Sequence, residues 1–227
     1  MPRQVDHEDR RRRIAEAVCR LADEHGLEGV TLRDVAARAQ VSMGAVQRCF
    51  RTKEEMLAFT LGHIGERITE RVRARVDRSP AQSAATTLGH ALTEVALLRE
   101  EHRAEARVWL AFVAQAAVST PLADLLKANY AALHEAFTRL IREACEGTAG
   151  GAPVDPRREA DTLLALADGL TTHVLIGRLT PHEAQHLLHT HLAGLWERHA
   201  PPRRPTPDAP SRRSTSPGSA QRPGSRP

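Results

Sequence analysis

TLRDVAARAQVSMGAVQRCFRTK, residues Thr31–Lys53, is the stretch whose reading decides the fold. Thr31, with Asp34 three residues on, is a capping box that opens a helix. Leu32, Val35, Ala36 and Ala39 recur at helical spacing and make its inner face. Ala36 is small where a second helix has to cross closely. Gln40-Val41 is the turn, and apolar Val41 plugs the angle between the helices. Ser42 caps the next helix. That helix, Met43 to Cys49, is about two turns long, and Val46 and Phe50 give it an inner side. Met43, Gly44, Gln47 and Arg48 are left on its outer face. Thr52 and Glu55 form a second capping box, which starts a long helix at Lys53. A helix, a short turn and a helix with a polar outer face make the helix-turn-helix pattern, whose second helix enters the DNA major groove.

VSMGAVQRCFRTKEEML resembles the recognition segment of the TetR family of transcriptional regulators. Val41, Ser42, Gly44, Val46, Phe50, Thr52, Lys53, Glu54 and Leu57 match that family's pattern. Three positions depart from it: Gln40 stands where the family usually has Gly, Gln47 where it has Tyr, and Cys49 where it has His. The first asks a non-glycine residue to take a left-handed turn, at roughly 1 kcal/mol. The other two fall on expected DNA contacts and bear on which bases and phosphates are read. The resemblance implies a ligand-responsive repressor that binds a near-palindromic double-stranded operator as a homodimer. An activator, or a regulator without an effector, fits the same residues.

Within that reading each outer-face residue has a chemistry. Gln47 is the candidate base reader, because its amide pairs bidentately with adenine N6 and N7. Arg48 suits guanine O6 and N7 or a phosphate. Lys53 sits at a helix N-terminus, where its ammonium and free N–H groups together suit a phosphate. Ser42 and Thr31 double as caps and phosphate contacts, and Met43 and Gly44 complete the surface.

The rest of the 227 residues supports an all-α chain of about nine helices, rich in Ala, Leu, Arg and Glu, with 3% aromatics and no sustained period-two alternation. The expected organisation is a helix-turn-helix domain over 1–52, a ligand-binding and dimerisation bundle over 53–199, and a disordered basic tail over 200–227. The sequence pI is about 9.5, yet the six arginines and one aspartate of 201–227 account for +5 against +4 for the whole chain, which leaves residues 1–200 at −1. Charge alone therefore says little about DNA; the motif carries that reading. Cys19, Cys49 and Cys145 are odd in number and widely spaced, which suits a reducing cytoplasm. No apolar run approaches the ~20 residues of a membrane span, and the charged start, MPRQVDHEDRRRR, is unlike a signal peptide. A loose arm is expected over 1–6, then a helix from His7 to His25 that stops at Gly26.

Downstream, a lever-like helix is expected from Lys53 to Asp77, then helices over Thr87–Leu98, His102–Val118 and Pro121–Cys145. A Gly/Pro loop follows over Gly147–Pro156, then helices over Arg157–Gly177 and Thr180–His199. EARVWLAF and LLALADGLTTHVL resemble the C-terminal domain of the choline-sensing BetI-like subgroup. Trp109, Phe112, Tyr130, Phe137 and His173 lie at apolar positions of this region and are the candidate effector-lining residues, with plain core packing as the alternative for each. The BetI-like resemblance brings a quaternary amine into view, with Trp109 or Tyr130 offering a cation–π face. The last two helices are apolar on more than one side, so Leu163, Leu170, Val174, Leu188, Leu192 and Leu195 are the expected dimer contacts.

One motif points elsewhere. His182-Glu183-Ala184-Gln185-His186 matches H-E-x-x-H, the zinc-hydrolase signature, with His189 and His191 nearby. Thr180-Pro181 ahead of it explains the glutamate more simply, as the partner in a capping box. No enzyme, no metal and no cofactor is expected.

Overall fold

The computed structural model describes residues 2–80, 83–146 and 154–199. The expected basic tail, and the Gly/Pro loop up to residue 153, lie outside the described residues. Within them the chain is all-α: α1 (Pro2–His25), α2 (Leu32–Arg38), α3 (Met43–Cys49), α4 (Lys53–Arg78), α5 (Ala84–Val95), α6 (Arg103–Ala116), α7 (Thr120–Cys145), α8 (Pro156–Leu175) and α9 (Pro181–His199), with a short 3₁₀ turn at Glu100–His102 before α6.

Helix boundaries follow local chemistry. α1 begins at Pro2, so the arm expected over residues 1–6 is largely helical. Ion pairs Asp6–Arg10 and Glu8–Arg12, each one turn apart, support the helix toward its start. It ends at Gly26, whose φ of +69° is the left-handed conformation glycine adopts without a Cβ clash. α5 starts a turn earlier than expected because Ser83 caps it, accepting a hydrogen bond from the Thr86 N–H. α8 starts at Pro156, inside the expected loop, because Asp155 accepts from the Arg157 and Arg158 N–H groups and proline suits the first helical position.

Two apolar cores hold the helices. One joins α1–α4 to α6 and α7: Ile14, Val18, Val35, Val46, Phe50, Met56 and Ile64 pack with Val108, Phe112, Leu122 and Leu126. The other joins α5, α7, α8 and α9 through Leu88, Leu92, Phe137, Ile141, Leu163 and Leu188. Burial of each Leu, Ile or Phe contributes about 1.5–3 kcal/mol, so α6 and α7 fasten the first three helices to the bundle. A buried polar network bridges α4, α5 and α6. Glu94, 1% exposed, accepts hydrogen bonds from Arg71 Nε at 2.9 Å and Arg75 Nη1 at 2.7 Å, while Glu105 takes the remaining edge of Arg71.

Candidate nucleic-acid interface and effector cavity

The helix-turn-helix is assembled as its sequence dictates. Thr31 Oγ1 accepts from the Asp34 N–H at 3.2 Å and donates to its carboxylate at 2.6 Å. Ser42 Oγ accepts from the Ala45 N–H at 3.2 Å, and Thr52 Oγ1 from the Glu55 N–H at 3.0 Å. Gln40 takes the turn with φ +56°, the left-handed conformation that glycine would adopt more cheaply. Arg38 forks onto Glu24 at 2.7 and 2.6 Å, tying α2 to α1. Arg11 lies over the Phe50 and Phe59 rings, 4.8 and 4.3 Å from their centroids, and so joins α1 to the end of α3.

α3 then has two distinct sides. Ala45, Val46 and Cys49 are buried against α1 and α2, and Phe50 with them. Ser42, Met43, Gln47 and Arg48 face solvent, with Met43 50% exposed. A Cβ on Gly44 would meet only the Arg48 guanidinium, at 3.6 Å. The fold therefore has room for a side chain there, and glycine costs a helix interior about 1 kcal/mol relative to alanine. Cys49 does not reach the outer surface: it is 5% exposed, so its expected bearing on DNA contacts is corrected to core packing. Lys53 is half-buried and its Nζ donates to the Leu27 carbonyl at 3.3 Å, closing the loop after α1. Of the basic run Arg10–Arg13, Arg10, Arg11 and Arg12 are engaged within the protein.

The second feature is a cavity of about 400 Å³ between α4, α6, α7 and α8. Ile64, Gly65 and Ile68 form one wall; Trp109, Tyr130 and Asp168 form another. Trp109 and Tyr130 meet edge to face at 5.7 Å between centroids. Both donate to one carboxylate: Tyr130 Oη to Asp168 Oδ2 at 2.5 Å and Trp109 Nε1 to Asp168 Oδ1 at 3.3 Å. Burial pushes the Asp168 carboxyl above its ordinary value near 3.8, against the lowering effect of the two hydrogen bonds. Burial and the adjoining carboxylate likewise push the Tyr130 phenol upward, so it stays protonated and donates. Asp168 is the one charged residue bordering the cavity among the described residues.

Of the five residues expected to line an effector site, Trp109 and Tyr130 border this cavity. Phe112 and Phe137 do not; they are 0% and 1% exposed and fill the two cores. His173 does not either; its Nδ1 lies 3.0 Å from the Arg178 guanidinium at the far end of α8. Asp168 escaped notice in the sequence. An aspartate within LLALADGL was the available signal, a charge set among apolar residues on a buried helix.

The bundle's ends need a second correction. Leu163, Leu170, Val174, Leu188, Leu192 and Leu195, expected at a dimer contact, are 0–7% exposed within the single chain. Leu163, Leu170, Val174, Leu188 and Leu192 belong to the core that α8 and α9 form with α5 and α7, and Leu195 is buried as well. The exposed side of these helices is instead Ala165 and Gly169 on α8, with Ile176 just after it, and Leu187, Thr190 and Ala193 on α9.

In the H-E-x-x-H segment, Glu183 accepts from the Thr180 N–H and Oγ1, both at 2.8 Å, so its carboxylate is the cap partner of α9. Among the described residues no three His, Cys, Asp or Glu are placed to share a metal ion. No helix among them is long and apolar enough to cross a membrane.

Two family models divide the chain between them. Bacterial regulatory proteins of the tetR family match residues 14–58, and the C-terminal domain of BetI-type transcriptional repressors matches residues 84–197. The chain belongs to the TetR family of bacterial transcriptional regulators. HTH-type transcriptional regulator PksA of Bacillus subtilis (strain 168) is 34% identical over 178 residues, 78% of this chain and 83% of that one. HTH-type transcriptional regulator BetI of Burkholderia cenocepacia (strain HI2424) is 32% identical over 176 residues, 75% and 84% of the two chains. A transcriptional regulator of Rhodococcus sp. Rha1 superimposes with a TM-score of 0.69 at 31% identity, covering 82% of this chain and 96% of that one. A putative regulator from Saccharomonospora viridis, solved in complex with choline, superimposes with the same score and coverage at 24% identity and shares the TetR fold. The protein is thus a TetR-family, DNA-binding transcriptional regulator of repressor type, with the helix-turn-helix of that family at α2–α3.

Proposed function

We propose that this regulator is a ligand-responsive repressor whose effector is an organic cation. The observation that carries the reading is the Asp168 carboxylate, without a counter-charge and held by Tyr130 and Trp109 at the wall of an otherwise uncharged cavity. A carboxylate withdrawn from water without a counter-charge is costly. A cation seated against the two ring faces would supply that charge and gain a cation–π contact. The choline bound by the Saccharomonospora viridis regulator supports an ammonium ligand.

In this reading two copies present residues 1–52 to successive major grooves of a near-palindromic operator. Gln47 reads a base, Arg48 reads a guanine or holds a phosphate, and Thr31, Ser42 and Met43 border the phosphates. Gly44 lets the DNA backbone approach closely, which gives a glycine a use where the fold leaves room for a side chain. Lys53, turned to the Leu27 carbonyl, positions the start of α4 more than it reaches out. Residues 53–199 hold the effector and pair the subunits through the exposed side of α8 and α9, where Ile176 and Leu187 are 68% and 47% exposed.

The test is fluorescence anisotropy on duplex DNA from the protein's own upstream region, with a scrambled duplex as control. Wild type binds the specific duplex, Gln47→Ala binds it weakly, and choline or tetramethylammonium releases the wild type. Equal binding to both duplexes, or no release by any ammonium compound, overturns the reading. A cation that tightens DNA binding instead identifies a co-repressor.

A further inference from the structure

The C-terminal half of α4 borders a second, open cleft of about 620 Å³ that shares no lining residue with the Asp168 cavity. Arg71, Arg75 and Arg78 enter it from successive turns of α4, Arg99 from the connection after α5, and His90 and Glu94 from α5. Four guanidinium groups face two carboxylates, those of Glu94 and Glu101, so the lining carries a net charge of +2.

The partners given to these groups leave donors over. Glu94 takes one N–H from Arg71 and one from Arg75. Arg78 uses its Nε on the Ala74 carbonyl at 2.7 Å, which holds the side chain along the helix and leaves its two terminal nitrogens without a partner among the described residues. Arg99 gives Nη1 to the exposed Glu101. His90 keeps its Nε2 buried with no partner. A guanidinium offers five N–H donors in a fixed fork, matched to the oxygens of carboxylate or phosphate.

A helix C-terminus favours cations in its last turn, and this accounts for Arg75 and Arg78. It does not account for Arg99 converging from another segment, nor for a histidine nitrogen buried beside them without a partner. We propose that this cleft binds a small multivalent anion carrying phosphate or several carboxylates. Arg78 and Arg99 grip its oxygens, and a turn of the His90 ring brings its buried Nε2 to the cleft as a further donor. The two sources share one chemistry, planar or tetrahedral oxyanion recognition by arginine forks. Such an anion competes with Glu94 for Arg75 and so bears on α4 from a site separate from the Asp168 cavity.

The experiment is isothermal titration calorimetry on the full chain at fixed ionic strength, with inorganic pyrophosphate and with citrate as probes. The variant is Arg78→Gln/Arg99→Gln, which spares the Glu94 pairs. Saturable binding of at least one probe is expected, weakened roughly tenfold or more in the variant, since each charged hydrogen bond lost is worth ~1.5–3 kcal/mol. The probe that binds names the source, phosphoryl or polycarboxylate. Heat that never saturates, or saturable binding that the variant retains in full, overturns the proposal; the latter places the anion elsewhere on the protein. His90→Ala keeps every guanidinium pair in place and gives a second reading should the double variant fold poorly. Several-fold weaker binding in it supports the site, and unchanged affinity removes the histidine from it and overturns the site as stated.

Discussion

Asp168→Asn isolates the charge that the proposed effector cavity is built around. Asparagine keeps the shape and can still accept the Tyr130 hydrogen bond, so the cavity is retained while the negative charge is lost. With Trp109 and Tyr130 both within hydrogen-bond reach of the carboxylate, an ammonium seated against the rings lies about 5 Å from it. At an effective dielectric of ~20, Coulomb's law gives about 3 kcal/mol for that pair, roughly a 200-fold change in affinity. The assay is calorimetric titration of wild type and variant with choline and with 3,3-dimethyl-1-butanol, a neutral compound of the same shape. Choline weakens by roughly two orders of magnitude in the variant, while the neutral compound binds both proteins alike. A pH series adds an independent reading. Burial raises the Asp168 pKa despite its two hydrogen bonds, so choline affinity declines as pH falls through that raised value. The loss begins at a higher pH than an ordinary aspartate would give. Equal choline affinity in wild type and Asp168→Asn, at unchanged melting temperature, would refute the electrostatic argument.

Glu94→Gln, at a carboxylate 1% exposed, removes one of two charged hydrogen bonds and lowers stability by about 2–4 kcal/mol, a melting-point fall of roughly 4–16 °C; a fall under about 2 °C contradicts a buried role. Burial alone would raise the Glu94 pKa, but Arg71 and Arg75 outweigh it and hold the carboxyl below its usual range. Its contribution is therefore full above the unfolded value of about 4.3 and is lost as pH falls through the lower folded value, so the Glu94→Gln and wild-type stabilities converge in acid. Phe137→Ala opens the α5–α7–α8–α9 core, where the ring is 1% exposed, and costs about 3–5 kcal/mol by urea denaturation; a cost below about 1 kcal/mol means the ring is not a core element. Gln40→Gly relieves the left-handed turn at φ +56° and stabilises by about 0.5 kcal/mol after the unfolded-state entropy of glycine is counted; a destabilised variant shows that the glutamine side chain contributes something the backbone argument omits.

The helix-turn-helix was legible because its signals are local. Thr31–Asp34, Ser42 and Thr52–Glu55 fix three helix starts within a few residues of chain, and the departure at Gln40 foretold the left-handed turn found there. The bundle was legible in helix number and less so in contact. Leu163, Leu170 and Leu188 read equally well as interior or interface, because periodicity says that a face is buried and not what buries it. The structure puts them against α5, α7 and each other. Phe112, Phe137 and His173 show the same limit. An apolar position on a helix does not say whether it borders a cavity, a core or the outside. Asp168 is the converse case. Its partners lie 59 and 38 residues away in sequence, and no spacing rule joins Trp109, Tyr130 and Asp168 before the helices pack.

In the proposed ligand-responsive reading, the cavity gives a bound ligand a direct hold on the DNA-reading end. α4 supplies Ile64, Gly65 and Ile68 to the cavity wall and starts at Lys53, capped by Thr52, a short link after the recognition helix. α6 supplies Trp109 to the cavity and, two residues earlier, Arg107, whose guanidinium forks onto Asp23 of α1. A ligand that draws Trp109 and the α4 wall toward Asp168 thus acts on α1 and α3 through two separate helices. Packed cores transmit such shifts as a choice between discrete arrangements. Differential binding of about 5.5 kcal/mol would carry the regulator from almost wholly DNA-competent to almost wholly released. The ~3 kcal/mol from the Asp168 charge, with a cation–π contact of ~1–2 kcal/mol on the two rings, comes close to that figure only if both interactions are confined to the released state. In the proposed ligand-responsive reading, the wall on α4 stands farther from Asp168 when the protein is on DNA. Arg107→Ala tests the linkage: cutting the α6–α1 fork leaves choline affinity for the DNA-free protein near wild type and reduces the choline-driven release of DNA. Release that survives Arg107→Ala in full assigns the coupling to α4 alone.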